Sequence, residues 1–431
     1  MSSFKKLDSK AKPPAILGQT WTKQLSCKDP NCIVDHTIGD QHEWQLQENE
    51  NDDNENENNN ESEYKGPADR IVLPLDVLNE IPPADEDMIY IIGTRGEKVT
   101  KIANLEQYKN TLKDLILRSN LISSMEGIDE LTKLTKLELY DNQLEEISHI
   151  NQLTLLTILD LSFNSIRTMA PVAACPLLEE LYLAQNKLKV IEGLNNMSKL
   201  RVLDLGANRI RSMSGCGLST LVELQSLWLG KNKLSQICDI DYLPKLRQLD
   251  CQNNRLTTLF WENNDNDDII KEKDNNTNNI DDDDATNVNG KEIEGSCLGS
   301  NDLEEEQHVY SSNIGIENLK SLEELYLACN AIRNINGLPK NSPLKTIDLS
   351  TNQIETLDGI EEYTNIEELW MTSSKLSSFE QLLPLQSLNG IECLYLEHSP
   401  IANDYEYRKK ITNMLPSLVQ LDATEVNRTV S

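Results

Sequence analysis

The stretch LTKLELYDNQL, residues 134–144, contains the phrase that organises the whole chain. The phrase is LxxLxLxxN followed by any residue and an apolar one, and LEELYLAQNKL at 178–188 repeats it. Eleven copies begin at Leu112, Leu134, Leu156, Leu178, Leu200, Leu224, Leu246, Leu322, Leu344, Ile366 and Ile391. Most steps are 22 residues, and so many copies in register predict a repeat architecture.

Each copy predicts a short strand, in which the leucines at the fourth and sixth positions point inward and the residue between them points outward. The ninth residue, usually Asn, is expected to hydrogen-bond the backbone of adjacent turns. Ser374 and Ser399 replace it in the last two copies, which predicts a weaker ladder there. Second halves such as IEGLNNMSKL predict short helical or 3-10 turns. The sequence thus predicts an α/β leucine-rich-repeat solenoid with a concave parallel sheet, convex 3-10 or short helical turns and terminal caps.

Composition divides the chain into a folded part and two acidic, Asn-rich tracts. Residues 1–68 are predicted to be a largely disordered extension with an acidic tract at 45–64, and residues 69–427 the capped solenoid, with a C-terminal cap at 403–427. The 76-residue step after Leu246 predicts an acidic disordered insertion at 260–313. The insertion is either a solvated spacer or a segment that attracts basic partners.

Charge narrows the class of partner. The 71 acidic and 40 basic residues give a formal charge of −31, which disfavours nucleic-acid backbones and anionic membranes. The basic strips that an RNA-proximal protein would need are not expected. Without an N-terminal apolar stretch or a run of 18 apolar residues, we expect a soluble intracellular protein with no membrane partner.

Neither metal nor catalytic chemistry is predicted. Several of the nine cysteines fall at apolar repeat positions and are expected to be reduced small hydrophobic residues: Cys175, Cys251, Cys329 and Cys393. Four other residues are potential zinc ligands, but their spacing matches no common zinc finger: Cys27, Cys32, His36 and His42. The chain contains no P-loop, HExxH, GxSxG or phosphatase-type cysteine motif. We therefore expect no cofactor and no enzyme activity.

The outward residue of each strand is the best candidate for binding chemistry. Along the chain these residues are Ile116, Glu138, Asp160, Tyr182, Asp204, Trp228, Asp250, Tyr326, Asp348, Trp370 and Tyr395. Five acids and five aromatics exceed what solubility alone requires, and exposed Trp and Tyr are typical interface anchors. A protein partner with Arg or Lys beside apolar ridges would need both kinds of residue. The alternative is that the rings stack along the sheet for packing.

The repeats resemble one family, the leucine-rich-repeat regulatory subunit of protein phosphatase 1, a mitotic regulator with 22-residue repeats. The resemblance covers about residues 86–427 outside the insertion. The phrases that carry it are LRSNLI at Leu117, LYDNQL at Leu139, ILDLSFNSI at Ile158, LGANRIR at Leu205, LWLGKNKL at Leu227 and the closing YRKKITNMLPSLVQLDATEV from Tyr407.

The resemblance implies a non-catalytic subunit that holds the phosphatase catalytic subunit on its concave face and controls its maturation, localisation or specificity, including in mitosis and chromosome segregation. Carried over by repeat position, the implied partner-binding residues are Asp160, Tyr182, Asp204, Trp228, Asp348, Glu368, Trp370 and Tyr395. Tyr182 and Trp228 stand where the family tends to have Phe, and Asp204 where it tends to have Glu.

The resemblance also implies location in nucleus and cytoplasm, allows a further phosphatase inhibitor subunit, and predicts a chain that is monomeric by itself. No Phe or Trp stands in the basic-(Val/Ile)-x-(Phe/Trp) motif that many phosphatase-1 regulators carry. Binding would therefore depend on the solenoid surface.

Two other classes of protein stay open. One is a structural scaffold in a ribonucleoprotein or cytoskeletal assembly, which would not need alternating Asp and aromatic residues. The other is an acidic histone chaperone, although the acidic tract here interrupts the solenoid instead of forming a long tail.

Overall fold

The computed structural model describes residues 71–72, 87–93, 98–262 and 313–426. Residues 1–70, 73–86, 94–97, 263–312 and 427–431 therefore lie outside the described part. So do the predictions made for the extension 1–68, its acidic tract 45–64, and the four potential zinc ligands between Cys27 and His42.

One parallel strand per repeat confirms the predicted leucine-rich-repeat solenoid. The eleven strands pair in chain order within one sheet. They are β4 (Asp114–Arg118), β5 (Lys136–Glu138), β6 (Ile158–Asp160), β7 (Glu180–Tyr182), β8 (Val202–Asp204), β9 (Ser226–Trp228), β10 (Gln248–Asp250), β13 (Glu324–Tyr326), β14 (Thr346–Asp348), β15 (Glu368–Trp370) and β16 (Cys393–Tyr395).

The convex side returns the chain through turns and short 3-10 helices. These helices span Glu106–Tyr108, Ala170–Ala174, Leu218–Thr220, Ile360–Glu362, Glu380–Ser387 and Pro400–Asn403. Between the sheet and these turns, the repeat leucines form one continuous core. Leu178, Leu181 and Leu183 of the fourth copy are fully buried, as are the equivalent apolar residues of neighbouring copies. Each coil thus buries its apolar edge only by stacking on the next.

The asparagines form the predicted ladder inside the turns. Asn352 donates its amide N–H groups to the carbonyls of Leu327, Leu349 and Ser350 at 2.9–3.3 Å, and accepts the N–H of Ile332 at 3.0 Å. Because the turns are buried, these bonds satisfy backbone groups that water cannot reach.

The serine that ends the ladder makes fewer backbone bonds. Ser399 Oγ donates to the Met371 carbonyl at 3.3 Å and accepts the Ser374 N–H at 3.0 Å. It therefore bonds two backbone groups where Asn352 bonds four, in line with the weaker ladder expected from the sequence.

Both ends of the sheet carry additional strands. At the start, β2 (Met88–Ile92) pairs in parallel with β4, while β1 (Ile71–Val72) pairs with β3 (Val99–Lys101). At the end, a helix (α1, Tyr407–Met414) precedes β17 (Gln420–Leu421), which joins the last repeat strand, and β18 (Thr424–Glu425) turns back on it. The Asp422 carboxylate accepts the N–H groups of Leu396 and Glu397 at 2.8 and 3.0 Å and so closes the last coil.

An antiparallel ribbon forms the base of the insertion. Strands β11 (Phe260–Glu262) and β12 (Asn313–Gly315) pair with each other between the buried residues Leu259 and Ile316. The Gly315 N–H donates to the Asp241 carboxylate at 3.2 Å, which attaches the ribbon to the preceding repeat. Because the chain leaves and re-enters at one point, β10 pairs directly with β13, and the insertion does not interrupt the sheet.

Removing residues 261–314 is expected to leave the solenoid folded, with an unfolding free energy within about 1 kcal/mol of the full chain. The junction joins Phe260 to Gly315 and creates LFGI, which matches IEGL at 191–194 and restores the 22-residue step. Urea unfolding monitored by circular dichroism measures the effect. A control that removes residues 260–314 places Leu259 and Ile316 out of register and should be clearly less stable. Equal loss in both variants would show that the insertion itself supports the fold.

Candidate functional site: the concave face of the sheet

The outward residues of the repeat strands form one unbroken row across the concave face, called here the central column. Register pairs run from Tyr90 and Ile116 at one end to Trp370 and Tyr395 at the other. The row contains seven of the eight predicted partner-binding residues, namely Asp160, Tyr182, Asp204, Trp228, Asp348, Trp370 and Tyr395. Glu368, the eighth, lies two residues before Trp370 in the neighbouring row.

The first members of the column differ from the expected exposed face. Ile116 and Glu138 are buried, with 1% and 4% of their surface exposed. Glu138 forms ion pairs with Arg118 at 2.6 Å and Lys136 at 2.8 Å, so its charge is neutralised within the chain. The acidic part of the column therefore begins at Asp160.

Four aspartates of the column have a structural role that the sequence analysis missed. In each, Oδ1 accepts the backbone N–H two residues further on, at 2.8–3.0 Å. The acceptor–donor pairs are Asp160 with Ser162, Asp204 with Gly206, Asp250 with Gln252 and Asp348 with Ser350. This local bond suits the short Asp side chain and closes the turn after the strand. It gives Asp204 a structural reason to be Asp instead of the Glu typical of the resembling family.

The same aspartates form no ion pair in the described part of the chain, although the charges of Arg118 near Asp160 and Lys231 near Asp250 act to lower the pKa of those two carboxyls. Among the described residues, no Lys, Arg or His forms an ion pair with any of the four carboxylates. Burial is the main reason why the pKa of each is raised, and for Asp204 the pKa reaches about 7. The neighbouring charges of Asp160 and Asp250 raise the pKa of Asp204 further, while its bond from Gly206 opposes the shift. An incoming cation would therefore gain from partly desolvated, uncompensated carboxylates.

We expect Asp204→Asn to stabilise the fold at pH 8 by about 1–3 kcal/mol and to change little at pH 4. The folded-state pKa of about 7 lies above the ordinary 3.8, so the native chain binds more protons than the unfolded chain between these values. The contribution of Asp204 to stability is thus greatest below pH 4 and is lost as the pH rises through about 7. Asn keeps the acceptor for Gly206.

Urea midpoints at pH 4, 6 and 8 measure this difference. The exposed Asp358→Asn provides the control and should show no growing difference with pH. If the difference in urea midpoint between Asp204→Asn and the parent chain is the same at all three pH values, the raised pKa assigned to Asp204 is contradicted.

Three aromatic residues at the C-terminal end of the column contact one another through Trp370. The Trp370 ring contacts Tyr326 and Tyr395, with ring centroids 6.3 and 6.2 Å apart. Tyr326 lies two strands from Trp370, so the rings meet across the intervening Asp348. Stacking along the sheet, the alternative considered from the sequence, therefore applies to these three residues.

Polar groups on the rings are mostly satisfied, with one exception. The hydroxyls of Tyr182 and Tyr326 donate to Glu180 and Glu324, each at 2.9 Å. Trp370 Nε1 is buried and donates to no described residue. Trp228, half-buried in the middle of the column, has no aromatic ring in contact among the described residues. Trp228 is thus the aromatic residue of the column best placed to contact a partner, whereas the indole N–H of Trp370 is enclosed by its surroundings.

Cysteines and possible metal ligands do not form a second site in the described part of the chain. Cys175 and Cys251 are buried in the core as predicted, but Cys329 and Cys393 are half-buried outside it, one in a turn and one on the concave face. Burial raises the pKa of the Cys175 thiol to about 11, which makes it unreactive at neutral pH. Across the described ranges, no three His, Cys, Asp or Glu side chains converge as metal ligands. Nor does any helix there have the length and apolar character to span a membrane.

Comparison with known proteins shows that the fold is that of a leucine-rich-repeat solenoid. The family profile described as "Leucine-rich repeat" matches residues 301–430, "Leucine Rich repeats (2 copies)" matches 176–218 and "Leucine rich repeat" matches 198–256. An internalin of Listeria monocytogenes superposes with a TM-score of 0.52 at 21% identity, covering 79% of this chain and 87% of that one. A leucine-rich-repeat protein of Leptospira interrogans gives 0.52 and 21% over 75% and 76%. These structures share the fold.

Sequence relatives match shorter segments. The protein phosphatase 1 regulatory subunit pprA of Dictyostelium discoideum is 38% identical over 76 residues, 18% of this chain and 22% of that protein. The protein phosphatase 1 regulatory subunit SDS22 of Saccharomyces cerevisiae is 41% identical over 88 residues, 20% and 25% of the two chains. Acidic leucine-rich nuclear phosphoprotein 32 family member A of Drosophila melanogaster is 32% identical over 108 residues, 25% and 41%. The chain thus aligns with less than half the length of each relative.

Proposed function

We propose that this chain is a non-catalytic regulatory subunit that binds the catalytic subunit of protein phosphatase 1 through the central column. In this role it controls the maturation, localisation or specificity of the phosphatase in nucleus and cytoplasm, including during mitosis. The partial similarity to two phosphatase 1 regulatory subunits supports the choice of partner. The observation that carries the proposal is the unbroken row of aromatic rings and of aspartates that form no ion pair among the described residues.

The column suits a broad, rigid partner better than a short peptide. Trp228 and Trp370 are separated by four strand-to-strand steps, about 19 Å at the usual spacing of a sheet. Aspartates lie between and beside them, so a matching surface presents cations opposite the carboxylates and apolar groups opposite the rings. Such a surface belongs to a folded protein domain.

Titration calorimetry of the full chain with the purified phosphatase 1 catalytic subunit tests this proposal. We expect binding that Asp160→Asn combined with Asp348→Asn weakens at least about tenfold, because Asn keeps the turn bond and removes the charge. The matched control combines Asp358→Asn with Glu361→Gln on the exposed convex side and should bind normally. Absence of binding by the parent chain, or equal loss in both double variants, would contradict the proposal.

The competing function is histone binding by an acidic chaperone, and the observation that favours it is the excess of acidic residues at 263–312. A histone chaperone would bind basic, unstructured tails through overall charge. The discriminating measurement is calorimetry with core histones under the same conditions. Histone binding that is lost with neutralisation of residues 263–312, while phosphatase binding is absent, would favour that function over the one proposed.

A further inference from the structure

A row of cations follows the rim of the solenoid beyond the carboxyl ends of the concave strands. The residue after each ladder asparagine donates its N–H to the preceding coil, as Arg209 does to Leu188 and Lys233 to Ile210, both at 2.8 Å. This position in four consecutive repeats, together with the position two residues further on in the first two of them, carries six cations, called here the basic rim: Lys187, Lys189, Arg209, Arg211, Lys233 and Arg255. The expectation that the chain has no basic strip is therefore wrong, because residues about one repeat apart become neighbours only by stacking.

The basic rim is exposed and uncompensated. Four of its six side chains are exposed, and Lys187 and Lys233 are half-buried. None of the six forms an ion pair with any described residue, whereas the opposite rim pairs Arg201 with Glu179 at 3.0 Å and Arg247 with Glu323 at 3.6 Å. Six unpaired cations along about 15 Å of rim stand out in a chain whose formal charge is −31.

We propose that the basic rim is a docking surface for this chain's own acidic segment, residues 263–312. That segment contains 15 Asp and Glu against three Lys, the complement of the rim's charge. The ribbon that carries it starts at Phe260, five residues after Arg255, the last cation of the rim. The acidic segment is thus joined to the chain beside the surface that it fits.

Tethering gives this occupant an advantage over free anions. The segment has 50 residues, enough chain at about 3.3 Å per residue to reach every cation of the rim. Linkage of this kind corresponds to an effective concentration of roughly millimolar. A nucleic acid would have to displace the tethered carboxylates and approach a strongly acidic protein, so its backbone is the less favourable ligand.

The proposed contact depends on ionic strength. Rising salt weakens it by screening, because it joins opposite charges at the surface. The rim and the central column are different surfaces, so this inference does not depend on phosphatase binding.

Zero-length carbodiimide crosslinking of the full chain at low salt, read by mass spectrometry, tests the proposal. Lys187, Lys189 and Lys233 should join to acids of residues 263–312 at least about fivefold more often than Lys133 and Lys199, which are exposed outside the rim. These crosslinks should fall severalfold at 0.5 M NaCl. A mixture of ¹⁴N and ¹⁵N chains identifies links within one chain.

A full-length variant in which every acid of 263–312 becomes Asn or Gln provides the matched control. In it, acetylation of the three rim lysines by an amine-reactive reagent should rise to the level of Lys133 and Lys199. Equal crosslinking at all five lysines, links only between chains, or unchanged acetylation would overturn the proposal. A 20-nucleotide RNA that protects the rim lysines of the parent chain, with no crosslinks to the segment, would assign the rim to nucleic acid instead.

Discussion

Leu369→Ala is expected to lower the free energy of unfolding by about 2–5 kcal/mol, the largest stability effect predicted for this chain. Leu369 has no exposed surface and pairs in register with Ile347 and Leu394 of the two flanking strands. The substitution removes apolar contacts and leaves a cavity that stacked coils cannot close, because each is held by its two neighbours.

Urea unfolding monitored by circular dichroism and by tryptophan fluorescence measures the loss. Trp370 is adjacent to the altered position and reports on the C-terminal coils. The matched control is Leu155→Ala, since 41% of the Leu155 surface is exposed and the same atoms are removed. The control should lie within about 0.5 kcal/mol of the parent chain. Similar losses for both variants would mean that the assigned core does not carry the stability.

Trp228→Ala is expected to weaken binding of the phosphatase 1 catalytic subunit at least about thirtyfold, roughly 2 kcal/mol. Trp228 is flanked in register by Asp204 and Asp250, so a large ring stands between two carboxyl groups that form no ion pair among the described residues. Burial of that ring against a partner combines apolar contact with desolvation of the neighbouring charges.

The free chain should keep its stability in this variant, because Trp228 has no aromatic neighbour in the described structure. Trp228→Phe serves as the control and should recover most of the affinity. Titration calorimetry measures the affinity. An unchanged thermal unfolding transition would show that the effect is specific to binding. If Trp228→Ala binds the phosphatase as tightly as the parent chain does, the centre of the column is not part of the interface.

Trp370→Ala is a less selective test of partner binding than the sequence alone suggests. From the sequence, a Trp on an open sheet face has little intramolecular reason to be there, and Trp370→Ala would leave stability unchanged. In the structure its ring contacts Tyr326 and Tyr395, so removal of the ring costs stability as well as binding.

The repeat phrase alone determined much of this protein. The inward leucines, the strand of each copy and the asparagine ladder follow from the periods of the sequence, because a side chain's position in a strand fixes the face on which it lies. The period of two also placed seven of the eight candidate partner-binding residues on the concave face, and the resemblance to the phosphatase 1 regulatory subunit added Glu368. The surroundings of these side chains could not be read from the sequence.

Only the tertiary structure decided what those residues contact. The aspartates close local turns, whereas the stacking of coils places Arg118 against Glu138 and brings the rings of Tyr326 and Trp370 together across Asp348. The residue before each ladder position adopts φ of 51–62° in every copy, including Phe163 and Thr351, although neither favours that conformation. The basic rim arises in the same way, since its cations are scattered in sequence and become one charged surface only when the coils are stacked.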